Sequence, residues 1–232
     1  MIKLTDLGLK GNTIVAELGV EDFARVLNIQ LNLNTARNSD RVGDVIIFLQ
    51  HNDVYTAGIH FKGTVSDLPA PFYRINRSGY LTYHGPGQIV VYFIRNLHAN
   101  GENVKELIEK IQASVISTLN FFGINGKGLF DEKTGIWVGD KKICSIGLGI
   151  EGFSTLHGMA LNVDTDLNKF KAIDPCNFDP EVMTSLSRLA GHKITVDEVQ
   201  PILEKELFKY LGIEEKEFID SIESLEKLSL NC

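Results

Sequence analysis

Cysteine is scarce in this 232-residue chain: there are three, Cys144, Cys176 and Cys232, and none forms a CxxC pair. Three cysteines cannot make a complete set of disulfides and lack the spacing of a structural zinc site, so a reducing compartment and no metal are expected. Long apolar runs are also missing. None reaches the roughly 18–20 residues that span a bilayer. The opening residues, Met1 to Asp6, have neither the apolar stretch nor the small-residue cleavage site of a secretory signal. A cytoplasmic protein without membrane contact is expected. Basic charge is in short supply too: 23 Lys and Arg stand against 30 Asp and Glu, the formal net charge is −7, and no Lys/Arg-rich run occurs. That argues against nucleic acid as a partner. No GxGxxG follows a strand-like run, no P-loop is present, and neither an internal repeat nor a low-complexity tract interrupts the chain.

What is present fits one globular domain over residues 1–232, with the segment from about 190 as a semi-separate helical tail lobe. Residues 20–37 predict a helix on the stripe Phe23, Leu27, Leu31. Val42–Leu49 and Gln88–Arg95 are apolar runs of strand length that suit burial on both faces. A strongly amphipathic helix is predicted over about 102–122, stopped by Gly123. A hairpin should follow, Thr134–Val138 and Lys141–Ile150 around Gly139-Asp140, then a strand over Leu156–Val163. Thr195 and Glu198 have capping-box spacing and open a helix to about Leu211 that contains Pro201. Phe218–Leu228 predicts a terminal helix. Hairpins and short strand spacings point to an α+β fold, a mixed, mostly antiparallel sheet packed with helices.

Two segments carry the candidate chemistry. In Arg77–Gln88, His84-Gly85-Pro86-Gly87 predicts a type II turn, where proline presets φ and glycine supplies the positive φ. Such a turn before a buried strand can aim backbone N–H groups at a bound carbonyl or phosphate. The other segment runs from His157 to Asn162 and on to Asp174-Pro175-Cys176, which sets a cysteine in a polar loop. A free thiol titrates about 1.5 units above neutrality and needs a nearby cation or base to react. His84, His157, Lys141 and Lys142 are the candidates. As strand neighbours, Lys141 and Lys142 face opposite ways, Lys142 with Cys144 and Ile146, Lys141 with Ile143 and Ser145, and periodicity does not choose between them. Cys144 sits in an apolar alternation and is expected in the core.

The segments Arg77–Gln88, Lys142–Gly147, His157–Asn162 and Asp174–Cys176, together with Tyr55-Thr-Ala-Gly58 and Thr184-Ser-Leu186, resemble the signatures of lipoyl(octanoyl) transferases, over about residues 20 to 210. That family has the biotin/lipoate protein ligase fold. The resemblance implies an acyltransferase that moves octanoate from octanoyl-acyl carrier protein to a lysine of lipoyl-accepting domains, those of 2-oxoacid dehydrogenase complexes and the glycine cleavage H protein, without a cofactor. It implies Cys176 as the acyl-thioester nucleophile and Lys142 as the lysine that lowers its pKa. Arg77, Ser78, Gly79, Tyr80, Leu81, Thr82, Tyr83, His84, Ser145, Ile146, Gly147, Gly158, Met159 and Ala160 would line the acyl pocket, with His84 a pocket residue and not the base. Ser78, Ala57 and Asn177 depart from the family's usual glycine, leucine and glycine. Because the implied protein partners are acidic like this chain, a local basic patch of Arg74, Arg77, Lys141, Lys169 and Lys171 is expected near the pocket mouth. Two other readings use the same pocket: an ATP-dependent lipoate or biotin ligase, and a non-catalytic acyl-binding protein.

Overall fold

The structure is a computed structural model that describes residues 12–173 and 179–232. In chain order it contains β1 (Thr13–Glu21), α1 (Phe23–Asn38), β2 (Val45–His51), β3 (Val54–Ala57), β4 (Phe72–Arg74), β5 (Leu81–His84) and β6 (Gln88–Ile94). Then follow α2 (Val104–Phe121), β7 (Lys127–Leu129), β8 (Gly135–Val138), β9 (Lys141–Glu151), β10 (Ser154–Asn162), α3 (Leu186–Ala190), α4 (Val196–Leu211), β11 (Lys216–Ile219) and α5 (Ile222–Asn231). An eight-stranded sheet runs β11-β1-β2-β6-β10-β9-β8-β7, and a small sheet runs β4-β3-β5. In the large sheet β1 pairs in parallel with β11 and β2, and every other pairing is antiparallel. The mixed, mostly antiparallel α+β arrangement is the expected one.

The apolar runs of β2 and β6 are explained by burial on both faces. Ile46, Phe48, Ile89, Val91 and Phe93 point into a core closed by α2 and α4. Their neighbours Val45, Ile47, Leu49, Val90, Tyr92 and Ile94 point into a second core closed by α1 and α5. With helices on both sides, residues 45–49 of β2 and 89–94 of β6 are apolar on both faces, and the polar Gln50, His51 and Gln88 fall at the strand ends. Cys144 is fully buried in the first core, as expected, and burial pushes its thiol up to about 12.

Helix α1 begins later than predicted and buries a different stripe. Val20 and Glu21 belong to β1, paired with Gln50 and His51, and the Asp22 carboxylate caps the helix by accepting from Arg25 N–H at 2.8 Å. The buried face is Phe23, Val26, Ile29, Gln30, Leu33, Asn34, Ala36 and Arg37, whereas Leu31 is exposed. Its polar members bond to the layers below. Gln30 Oε1 accepts from His157 N–H at 2.9 Å, Asn34 Nδ2 donates to the Ser154 and Thr155 carbonyls, and Arg37 Nε donates to Asp44 at 2.8 Å.

Helix α2 opens on a capping box between Asn103 and Glu106, and α4 on one between Thr195 and Glu198. Pro201 lies inside α4, which keeps its predicted start and ends at Gly212 in the left-handed region, φ +68°. The segment from about 190 does not stand apart as a lobe. Val199, Leu203, Leu207 and Leu211 fill the first core, and Leu225 and Leu228 fill the second. The predicted Phe218–Leu228 helix is divided: Phe218 lies in β11, which pairs with β1, and the helix starts only after the Ser221 cap. An ionic cluster ties α1, the ends of β2 and β6, and α2 together. Asp44 takes Arg37 at 2.8 Å and Arg95 at 3.1 Å, Arg95 also meets Glu102, and Glu102 takes Lys110 at 2.8 Å.

Candidate active site

Between the small sheet and the β8–β9–β10 edge of the large one lies a cavity of about 300 Å³. Much of its wall comes from four pieces of chain. The loop Arg77–Tyr80 is held from inside by the Arg77 guanidinium. Nη2 donates to the Thr56 carbonyl at 3.1 Å, Thr56 Oγ1 at 3.0 Å and the Tyr80 carbonyl at 2.9 Å, and Nη1 donates to the Ser78 carbonyl at 2.8 Å. Strand β5 contributes Thr82 and His84, β9 contributes Lys142, Ser145, Ile146 and Gly147, and β10 contributes Gly158, Met159 and Ala160. Gly158 allows a close crossing, because a Cβ there would lie 1.9 Å from the Val91 carbonyl oxygen.

Lys142 faces this cavity because of a β-bulge. The β8–β9 register runs Gly135↔Ser145, Ile136↔Cys144, then Trp137↔Lys142, so one step on β8 spans two on β9. Ile143 is the extra residue, and it inverts the alternation. Lys142 therefore parts from Cys144, with which simple periodicity grouped it, and joins Ser145 and Gly147. Its side chain is 1 % exposed, with Nζ 5.7 Å from the centre of the Trp137 ring. Gly135 makes room, since a Cβ there would come within 2.8 Å of Lys142 Cε. The segment from Asp179 passes alongside: Lys141 Nζ donates to the Glu181 carbonyl at 3.0 Å, Met183 bridges to Lys142, and Thr184 N–H donates to the Lys142 carbonyl at 2.9 Å. Ile173 and Met183 share a third core with Tyr55, Tyr83 and Phe170. Cys176 lies outside the described residues.

Three histidines ring the inner end of the cavity. His84 and His157 line it, and His51 stands behind them, its ring centre 6.1 Å from that of His84. Burial pushes His51 down to about 4, helped by no positive neighbour. Burial, then the neighbouring His51 and Arg77 charges, push His84 down to about 3, and burial with Arg77 does the same for His157. All three are neutral at physiological pH. His51 Nδ1 donates to the Glu21 carbonyl at 3.0 Å, so its Nε2 accepts from Tyr92 Oη–H at 2.7 Å, and burial raises that phenol well above its ordinary range. His157 sits at φ +61°, and its buried Nδ1 has no hydrogen-bond partner among the described residues.

Several sequence expectations need correcting. Leu81 and Tyr83 alternate with Thr82 and His84 along β5 and point away from the cavity into the third core. The type II turn is framed one residue later, Gly85–Gln88, with Gly87 at φ +80°. Its N–H groups are used internally: Gly87 donates to Gln50 Oε1 at 2.8 Å and Gln88 to the Gly85 carbonyl at 3.3 Å, so neither is aimed at a ligand. Arg77 is buried and does not belong to a surface patch, while Lys169 pairs with Asp53 at 2.6 Å and Lys171 with Glu181 at 3.5 Å. Sequence reasoning also missed Phe23, Tyr92 and the acidic turn Asp131-Glu132, all in the cavity wall. Tyr92, a phenol in a buried apolar run, was the available signal.

A largely apolar cavity with the buried Lys142 at its edge suits an enzyme that handles an apolar acyl group. Comparison with known proteins agrees. The lipoyl protein ligase A/B catalytic domain matches residues 22–208, and the chain belongs to that family. It is 48% identical over 202 residues to "Probable octanoyltransferase 2" of Picrophilus torridus, covering 87% of this chain and 80% of that protein. It is 40% identical over 174 residues to the octanoyltransferase of Orientia tsutsugamushi, covering 72% and 83%. In fold it is similar to a crystal structure of lipoate-protein ligase A bound with ATP, with TM-score 0.73 at 18% identity over 96% of this chain and 94% of that one. The chain is an acyltransferase of the biotin/lipoate ligase fold.

Proposed function

We propose that the protein transfers an octanoyl group from octanoyl-acyl carrier protein to a lysine of lipoyl-accepting domains, through a thioester on Cys176, in the cytoplasm. The observation that carries this reading is Lys142, turned by a one-residue bulge into a mainly apolar cavity and covered by the chain that follows 174–178. The relatives named as octanoyltransferases support the acyl group.

In this reading the Lys142 ammonium favours the Cys176 thiolate, which attacks the carrier thioester carbonyl. The carrier thiolate leaves and takes its proton from Lys142. The octanoyl chain lies along Met159, Ile146 and Ala160, each buried methylene contributing about 0.8 kcal/mol. The acceptor lysine arrives as an ammonium, and neutral Lys142 takes one of its protons. Attack then forms the amide and returns the C–S electron pair to the Cys176 sulfur, which takes the second proton from the nitrogen. Thioester to thioester to amide runs downhill, so no ATP is consumed. The lipoyl domains of 2-oxoacid dehydrogenase complexes and the glycine cleavage H protein are the acceptors.

A transfer assay with no nucleotide tests the reading against the ligase alternative. Octanoyl-carrier should modify a lipoyl domain without ATP, and free octanoate should not do so even with ATP. The opposite pattern refutes the reading. Saturable octanoate binding without transfer would instead identify an acyl-binding protein.

A further inference from the structure

Trp137 is the single tryptophan of the chain, and its place is set from two directions. Its indole Nε1–H donates to the Lys133 carbonyl at 2.8 Å, in the short turn Asp131–Lys133. That turn is closed in its own right, since Thr134 N–H and Oγ1–H both donate to the Asp131 carbonyl, at 3.1 and 2.6 Å. Across the strands, Trp137 stands directly opposite Lys142 in the β8–β9 register, a pairing created by the bulge at Ile143. The ring is buried, and it lies behind Lys142 and not in the cavity wall.

Gly135 and Trp137 are two residues apart and so share one face of β8. The Lys142 stem runs over that face. A Cβ on Gly135 would come within 2.8 Å of Lys142 Cε, and Lys142 Nζ sits 5.7 Å from the centre of the indole. Together the two residues make a slot, left open by the glycine and walled by the ring. An ammonium within about 6 Å of an aromatic face is attracted by the ring's quadrupole, most strongly by that of tryptophan. The attraction grows where water is excluded, and Lys142 is almost fully buried. Lys133 Nζ is also 5.8 Å from the ring, but Lys133 is exposed and solvent weakens that contact. An indole face accepts no proton from the ammonium, so the amine can release one and regain it while its stem stays in the slot.

We propose that Trp137 is a positioning residue for the transfer reaction: the slot it forms with Gly135 holds the Lys142 ammonium at the edge of the cavity without trapping its proton. This rests on the octanoyl-transfer reading above, in which Lys142 gives up one proton and takes another in each turnover. Trp137 itself touches no substrate.

The test exploits the single tryptophan, because growth on fluorinated tryptophans alters this ring alone and keeps its Nε1–H and nearly its shape. Each added fluorine weakens the negative face. The kcat of octanoyl transfer should fall stepwise along the series, by about tenfold in all, with KM for octanoyl-carrier unchanged. Trp137→Phe, which retains an aromatic face, should keep more activity than Trp137→Leu. In spectra of protein carrying ¹³C-lysine, the ε-methylene signal that disappears in Lys142→Met should move in Trp137→Leu, as the ring current is lost. A role in packing alone predicts one kcat along the fluorine series. That result overturns the proposal without disturbing the transfer reading, and it decides the matter even if Trp137→Leu does not fold. An ε-methylene signal indifferent to Trp137→Leu also overturns the proposal. Absence of transfer by the unmodified protein overturns the transfer reading, and the proposal with it.

Discussion

His51, His84 and His157 are buried around the cavity and held neutral, the first titrating at about 4 and the other two at about 3. In the unfolded chain each imidazole titrates near 6.5. The native state therefore binds fewer protons than the unfolded chain between those values, and stability falls as pH falls through that window. The contribution is complete above pH 6.5. At pH 5 each unfolded imidazole is favoured by about 1.5 pK units, about 2 kcal/mol, so the three together cost about 6 kcal/mol. That is comparable with the whole stability of an ordinary domain, about 5–15 kcal/mol. Urea unfolding at pH 7 and pH 5, followed by fluorescence of the single tryptophan, Trp137, measures the loss. His157→Asn, chosen because asparagine tolerates the φ of +61° at this position, should reduce the difference between the two pH values by about 2 kcal/mol. Equal stability at pH 7 and pH 5, or an unaltered pH dependence in the variant, would refute the reasoning.

Other perturbations bear on the fold and the site separately. Asp44→Ala leaves the buried Arg37 and Arg95 without their shared carboxylate and should cost about 3–5 kcal/mol in chemical denaturation, far more than loss of the exposed Lys105–Glu109 pair. Gly158→Ala would put a methyl 1.9 Å from the Val91 carbonyl oxygen, so β10 must move from β6; about 1–3 kcal/mol of stability and most of the transfer activity should go, as read by thermal unfolding and product formation. Lys142→Met should move the pH midpoint of Cys176 alkylation upward by about 1–3 units, since a neighbouring ammonium lowers a thiol by that much. An unchanged midpoint would remove Lys142 from that role.

The parts of the fold that were legible in the sequence are those where apolar periodicity and burial coincide. β2 and β6 are covered on both faces, α2 carries a continuous stripe, and the Gly139 turn sets a two-residue hairpin. The failures have physical reasons. The buried face of α1 includes Gln30, Asn34 and Arg37, whose hydrogen bonds to the sheet and to Asp44 make polar groups acceptable inside, so an apolar stripe pointed to the wrong face. Phe218 is held in a strand by pairing with β1, a contact about 200 residues distant that no local pattern carries. The facing of Lys142 depends on one inserted residue in β9, whose register exists only relative to β8. The glycines of Arg77–Gln88 were read as ligand-facing. Those of the turn instead serve close packing, Gly87 against the Asp164 carbonyl, while Gly79, Gly147 and Gly158 open the cavity.

The central claim, that an octanoyl group passes through a thioester on Cys176, is tested most directly by intact mass spectrometry after mixing with octanoyl-carrier. The account predicts a single added octanoyl group on the wild-type protein, removed on adding a lipoyl domain and absent from Cys176→Ser. A Cys176→Ser protein that transfers octanoate at the wild-type rate would contradict it.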